Sequence, residues 1–279
     1  MIARHRLIEA LPYFLRADRH WTQEHLITPL LNDDGASLAL WRAIARQTHF
    51  AEVLKIIGGA MAERATDRRL GRDTRRSLVF SLVVESMHAF RENREPAVPN
   101  PRILQMLRSL DDEVRAAAAN AIQRFVNNLS KRPPGEEDSP SAADLFRSAA
   151  APFLRDVWPQ ERSLATPGVS RALSDLPATS DEAFAEAVEA IDRFLVPFEC
   201  WSMVNYGLYG DDGETKKLTI IDDDTKANAL LRLLDLTIGS SDGAVVPHDL
   251  TDALDQIQSV APALVEHPTF RRLSTAARR

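Results

Sequence analysis

The chain has 279 residues, 44% hydrophobic, 27% charged and 6% aromatic, enough apolar material for a substantial core, which excludes bulk disorder. Its formal net charge of -6 is unevenly spread: residues 1–130 carry 19 basic against 15 acidic side chains, residues 131–279 carry 15 against 25. That balance excludes general nucleic-acid affinity in the second half and leaves only a local case in the first. Cys200 is the single cysteine, so no internal disulfide can form, which suits a reducing cytosol and points to a cytoplasmic protein. The longest apolar run, Leu78 to Val84, falls far short of the roughly 20 residues that span a bilayer, so no membrane association is expected. The N-terminal MIARHRLIEALPYFLRA is interrupted by Glu9 and Pro12 well before signal-peptide length and reads as a helix.

Residues 4–17 form that first helix, with Leu7, Ile8, Leu11, Phe14 and Leu15 inward and a kink or restart at Pro12. Residues 21–31 follow with Trp21, Leu26, Leu30 and Leu31 as the packing set, then a turn over 32–35 and a short helix from Ser37 to Arg46. A longer helix from Phe50 to Arg64 holds Gly58 and Gly59 either at a close crossing or at a break. Residues 70–91 supply Leu78, Val79, Leu82, Val83, Met87 and Phe90. Pro96, Pro99 and Pro101 then turn the chain into a helix from Arg102 to Leu110.

The clearest amphipathic stretch is Leu110 to Leu129, LDDEVRAAAANAIQRFVNNL, with a stripe at Val114, Ala118, Ala121, Ile122, Phe125, Val126 and Leu129. Asp111 is placed to cap it, and Asp112 and Glu113 load its first turn with negative charge. Arg115 is expected to reach along the surface to an acidic group on the next unit. An Asp, a Val-Arg pair and spaced alanines resemble the second helix of a HEAT-type repeat, which implies stacked helix pairs with a loose period of about 30 to 45 residues.

The fold class read from this pattern is all-α: a HEAT-like helical-repeat solenoid over residues 1–130, a linker or exposed loop at 131–140 and a helical C-terminal domain over 141–279. In KRPPGEEDSP, proline and charge replace large apolar residues. Ser141 begins a helix, and Pro152 and Pro159 bracket Phe153, Leu154, Val157 and Trp158 as a compact apolar plug rather than a long helix. Further helices start at Thr166-Pro167 and at Ser180, and cover Lys226 to Ile238 and 248–258, the last capped by Asp249 or Thr251. Residues 201–222 depart from this pattern and have the makings of one short β-hairpin about the turn DDGET.

Chemistry-bearing groupings are weak. Seven histidines are scattered and none forms an HExxH pair; Asp211, Asp212 and Glu214, and Asp222 to Asp224, lack an EF-hand's ligand order, so no metal is expected. Gly207, Gly210 and Gly213 have no following Lys-Ser/Thr, and Ser170 lacks the final glycine of a nucleophile elbow, so no cofactor and no catalytic constellation are expected. The basic cluster from Arg64 to Arg76 offers Arg68, Arg69, Arg72 and Arg76 for phosphate contacts, with Glu63, Asp67 and Asp73 competing locally. Phe153, Leu154 and Trp158 are the candidate protein-docking residues.

The order of WTQEHL from Trp21, Leu40-Trp41, DDEVRAAAANAIQRF from Asp111, PFLRDVWP from Pro152, Thr166-Pro167 and HPTFRRL from His267 resembles the helical C-terminal regions of large bacterial antiphage defence proteins. These include a domain of unknown function fused to sirtuin-like, NAD-hydrolysing effectors. The resemblance implies a non-enzymatic sensor or assembly arm that binds a protein; the alternatives it leaves for this chain are a subunit with a separately encoded effector as its partner, a fragment that begins internally, and a relative with another role. Its motifs are packing motifs and map no functional residue. Two other classes remain open: a nucleic-acid sensor using the arginine cluster, and a hydrolase assembled from distant residues.

Overall fold

A computed structural model describes residues 2–130, 140–209, 217–240 and 244–278, with only the backbone described for 2, 3 and 217. The fold is all-α, with no strand among the described residues. All but the last residue of the expected linker at 131–140, and the expected hairpin turn at 211–215, lie outside these residues. The chain divides into two units, residues 1–121 with 156–159, and residues 122–155 with 160–279. One boundary between these units falls inside helix Asp112–Ser130. No helix among the described residues is long and apolar enough to cross a membrane.

In the first unit, Pro12 restarts the chain: helix Ile2–Glu9 ends, and Pro12 takes the second position of helix Leu11–Ala17, where its missing N–H costs nothing. Asp18 and Asp34 cap the next helical stretches, accepting from the Trp21 amide at 2.9 Å and the Ser37 amide at 2.7 Å. Helices Ala51–Thr66 and Arg72–Arg91 pack together through Val53, Leu54, Ile57, Met61, Leu78, Val79, Leu82 and Val83, all buried. Gly58 marks a close crossing: a Cβ there would overlap Cγ2 of the buried Val98. Within Arg72–Arg91, the buried Glu85 is held by both terminal nitrogens of Arg94, at 2.7 and 3.0 Å, and accepts the Ala97 amide at 3.3 Å. That pair ties the loop after the helix back to its side.

Asp111 caps its helix as expected, accepting the Val114 amide at 3.1 Å. Arg115 does not reach a neighbouring acid. It is buried and turns back on helix Asn100–Ser109, donating Nε–H to the Leu107 carbonyl at 3.0 Å and Nη2–H to the Leu110 carbonyl. Those carbonyls have no partner inside their own helix, so a guanidinium satisfies them better than a distant carboxylate would be served.

The second unit is a succession of packed helices: Phe184–Ile191 against Asp224–Thr237, that helix against Leu250–Val260, and the latter against Pro268–Ala277. Phe184, Ile191, Leu230, Leu233, Leu234, Ile257 and Leu273 are fully buried among them. Ser141 opens residues 142–156 with a capping box, its hydroxyl accepting the Asp144 amide at 3.1 Å. This stretch continues through Pro152 as helix, correcting the expected plug, because a π turn at Phe146–Ala150 immediately precedes it. Widening the turn moves the carbonyls that the proline ring would otherwise strike.

The expected β-hairpin is also corrected. Met203–Tyr206 and Lys217–Ile220 are 3-10 turns. In the first, side chains take the donors that a strand would give to a neighbour: the Met203 amide donates to Asp249 Oδ1 at 2.8 Å and the Val204 amide to Ser202 Oγ at 3.2 Å. Gly207 closes the turn at φ +68, a backbone region that glycine adopts without strain.

Candidate functional site

The arginine cluster is assembled as the sequence suggests, but with its own counter-ions. Arg69 reaches Asp33 at 2.6 Å and Asp67 at 2.8 Å, and Arg64 bridges the same two carboxylates. Arg72 and Arg76 both hold Glu113. Arg75, almost fully buried, pairs with Asp111 at 2.6 Å and donates to the Ala65 carbonyl at 2.9 Å. The Arg69 hydrogen bond, against the opposing effect of burial, brings the Asp67 pKa down to about 2. Arg68 is exposed and contributes to the field that helps lower the pKa of Asp111, where burial pulls the other way and the Arg75 hydrogen bond dominates the lowering. A phosphate would have to displace Asp33, Asp67 or Glu113 to engage Arg69, Arg72 or Arg76. Asp33, Asp111 and Glu113 lie more than 30 residues from these arginines, which is why local sequence showed only Glu63, Asp67 and Asp73 as competitors.

The candidate docking residues are placed differently from the expectation. Phe153, Leu154 and Trp158 are at most 2% exposed, so they offer no surface to a partner in this structure. Bracketing prolines indicated an isolated apolar segment, and burial is what such a segment needs.

The feature that composition and periodicity passed over is Trp201. Its side chain is 69% exposed, and Val204, three residues on, is 40% exposed. The loop carrying them is firmly held. The Trp201 carbonyl accepts from the His248 amide at 3.1 Å and from His248 Nδ1 at 2.6 Å; a carbonyl can only accept, so Nδ1 carries a proton. Asp249 takes the Ser202 hydroxyl at 2.7 Å on one oxygen and the Met203 amide on the other. Asp249 stands at the start of helix Leu250–Val260 but directs its side chain to this loop rather than to its own helix amides. Beneath, Cys200 and Tyr206 are fully buried, and the Tyr206 hydroxyl pairs with Thr237 at 2.9 Å. A large aromatic side chain is thus presented to solvent from a backbone with little freedom to withdraw it.

Ser202, His248 and Asp249 invite comparison with a catalytic triad, and the geometry excludes that role. Ser202 Oγ donates directly to Asp249, His248 Nδ1 is engaged by the Trp201 carbonyl, and His248 Nε2 lies 4.0 Å from Asp249 Oδ2. Among the described residues no imidazole is placed to take the serine proton. The Cys200 thiol, near the Ser202 carbonyl at 3.1 Å, has its pKa raised by burial, so it is not an activated thiolate. Among the described residues no group of three or more His, Cys, Asp or Glu is arranged to hold a metal ion. Asp222 pairs with Lys226 at 2.9 Å and Asp223 accepts the Lys226 amide at 2.7 Å, a helix start rather than a cation cage. The cluster Asp211, Asp212 and Glu214 lies outside the described residues. No protein-family model, curated protein or solved structure matches the chain.

Proposed function

We propose that this protein is a non-enzymatic helical module that binds another protein, with Trp201 as the anchor of the docking site. The observation that carries the proposal is the combination at one loop of a 69% exposed tryptophan and a backbone fixed by His248 and Asp249. Burying an exposed indole in a partner's pocket yields large apolar area, and a loop already ordered loses little entropy on binding. The HEAT-like reading of residues 1–130 gives this module a repeat-scaffold character, and the resemblance to antiphage defence proteins supplies its setting: the partner is a defence effector that the module positions or restrains. Nucleic acid is the weaker ligand, because three of the four arginines it would use, Arg69, Arg72 and Arg76, are paired with carboxylates.

The test is affinity capture of the tagged full chain from its native host, nuclease-treated, beside Trp201→Ala. The captured protein is identified by mass spectrometry and its binding re-measured with purified components. Trp201→Ala is expected to weaken it by about tenfold or more, as for a central aromatic anchor. Unchanged affinity would remove Trp201 as the docking site. A Trp201-dependent partner without an effector domain would keep the docking function and remove the defence setting.

A further inference from the structure

We infer that the segment received at the Trp201 site is a short extended stretch carrying arginine or lysine; this rests on the docking function proposed above. Exposure alternates along the chain before Trp201: Phe198 is 7% exposed, Glu199 exposed, Cys200 buried and Trp201 69% exposed. Leu195 and Ser202, on either side, are extended. Alternation of this kind places Glu199 and Trp201 on the same solvent side, about 7 Å apart at the rise of an extended chain. A carboxylate and an aromatic face at that spacing can hold one cation between them, or two cations at alternate positions of an extended partner.

The surrounding charge favours the same occupant. Glu199 has no ion pair among the described residues. Asp249, beside the Trp201 backbone, has both oxygens on neutral donors, Ser202 and Met203, and only His248 Nε2 within ion-pair range, at 4.0 Å. Its negative field is felt by Cys200, Tyr206 and Tyr209. Over the whole second unit 24 acidic side chains face 16 basic ones, which steers a cationic segment inward and repels phosphates and anionic lipid. Glu199 also lines a cleft of about 510 Å³ with Pro167, Pro197, Phe198 and Arg171. Arg171 leaves the cleft itself close to neutral, so the selection for cations belongs to the Glu199, Trp201 and Asp249 end.

Three short synthetic peptides of one extended backbone, differing only in Arg, Gln or Glu at alternate positions, would be titrated calorimetrically into the full chain. The arginine peptide is expected to bind about tenfold more tightly than the glutamine peptide, and to lose about tenfold on Trp201→Ala and several-fold on Glu199→Gln. Both side chains are exposed, and a thermal melt confirms that the variants fold. Equal binding of the arginine and glutamine peptides, or an arginine peptide indifferent to Trp201→Ala, overturns the inference. The captured native partner separates the two levels. If Trp201→Ala abolishes capture while Glu199→Lys and high salt do not affect it, docking stands and the cationic segment is wrong. If Trp201→Ala leaves capture intact, the docking site itself is wrong.

Discussion

Asp175 shows how one side chain can make stability depend on pH. It lies against Gly207, where an added Cβ would stand 3.5 Å from the Asp175 Cβ, and so supports the turn that follows Trp201. Burial pushes its pKa from 3.8 up to about 7, and its Oδ1 is buried with no hydrogen-bond partner. The folded state therefore holds a proton that the unfolded chain has released, and the sign follows: this contribution is complete below 3.8, declines as pH rises and is gone above about 7. Asp175→Asn is expected to flatten the fall in thermal midpoint over that window, with a gain over wild type at pH 8 and little difference at pH 4. Parallel profiles for the two proteins would show that Asp175 is not the titrating group. Nothing in the sequence around Asp175 signals this, because a neighbour it packs against, Gly207, lies more than 30 residues away. The Asp111 cap, by contrast, was legible: its geometry needs only three consecutive amides. Arg75 as the ion partner of Asp111 was not, since that pairing joins two helices.

At the scale of elements, proline and glycine carried more information than their usual reading as breaks. Both π turns, Gln23–Ile27 and Phe146–Ala150, end two residues before a proline, Pro29 and Pro152. Each lets a helical stretch continue where a regular α-helix would meet the proline ring. The Gly58-Gly59 pair divides by function. A methyl at Gly58 would overlap Val98, whereas one at Gly59 would meet the Arg102 guanidinium at an ordinary 3.5 Å. Gly58→Ala is thus expected to cost about 1 to 3 kcal/mol by overpacking. Gly59→Ala is expected to be neutral or to gain up to about 1 kcal/mol from helix propensity. Urea unfolding of the two variants checks this contrast; equal effects would mean that Val98 moves aside.

For the molecule as a whole, charge is partitioned by unit: 18 basic against 16 acidic side chains in the first and 16 against 24 in the second. With the first unit near neutral and Arg69, Arg72 and Arg76 paired with carboxylates, retention on immobilised nucleic acid at physiological salt is expected to be negligible. Replacing Arg68, Arg69, Arg72 and Arg76 with alanine together is expected to lower the melting temperature, through loss of the Asp33, Asp67 and Glu113 pairs, and to leave retention unchanged. Salt-sensitive retention by wild type, lost in the variant, would return the cluster to nucleic-acid recognition.

The sequence alone determined that the protein is helical, because apolar periodicity and capping are local properties, repeated at Asp111, Ser141 and Thr166 within a few residues each. It also located the arginine cluster, whose members lie within 13 residues of one another. Only the tertiary structure decided which of those features are available. Phe153, Leu154 and Trp158 went to the interior, Arg72 and Arg76 found Glu113 on another helix and Arg69 found Asp33 in a distant loop, and residues 203–206 turned rather than extended. Trp201 stayed outside, fixed by His248 and Asp249 from nearly 50 residues along the chain. Exposure and ion pairing depend on which distant segments meet, and that information is carried by no single stretch of the chain.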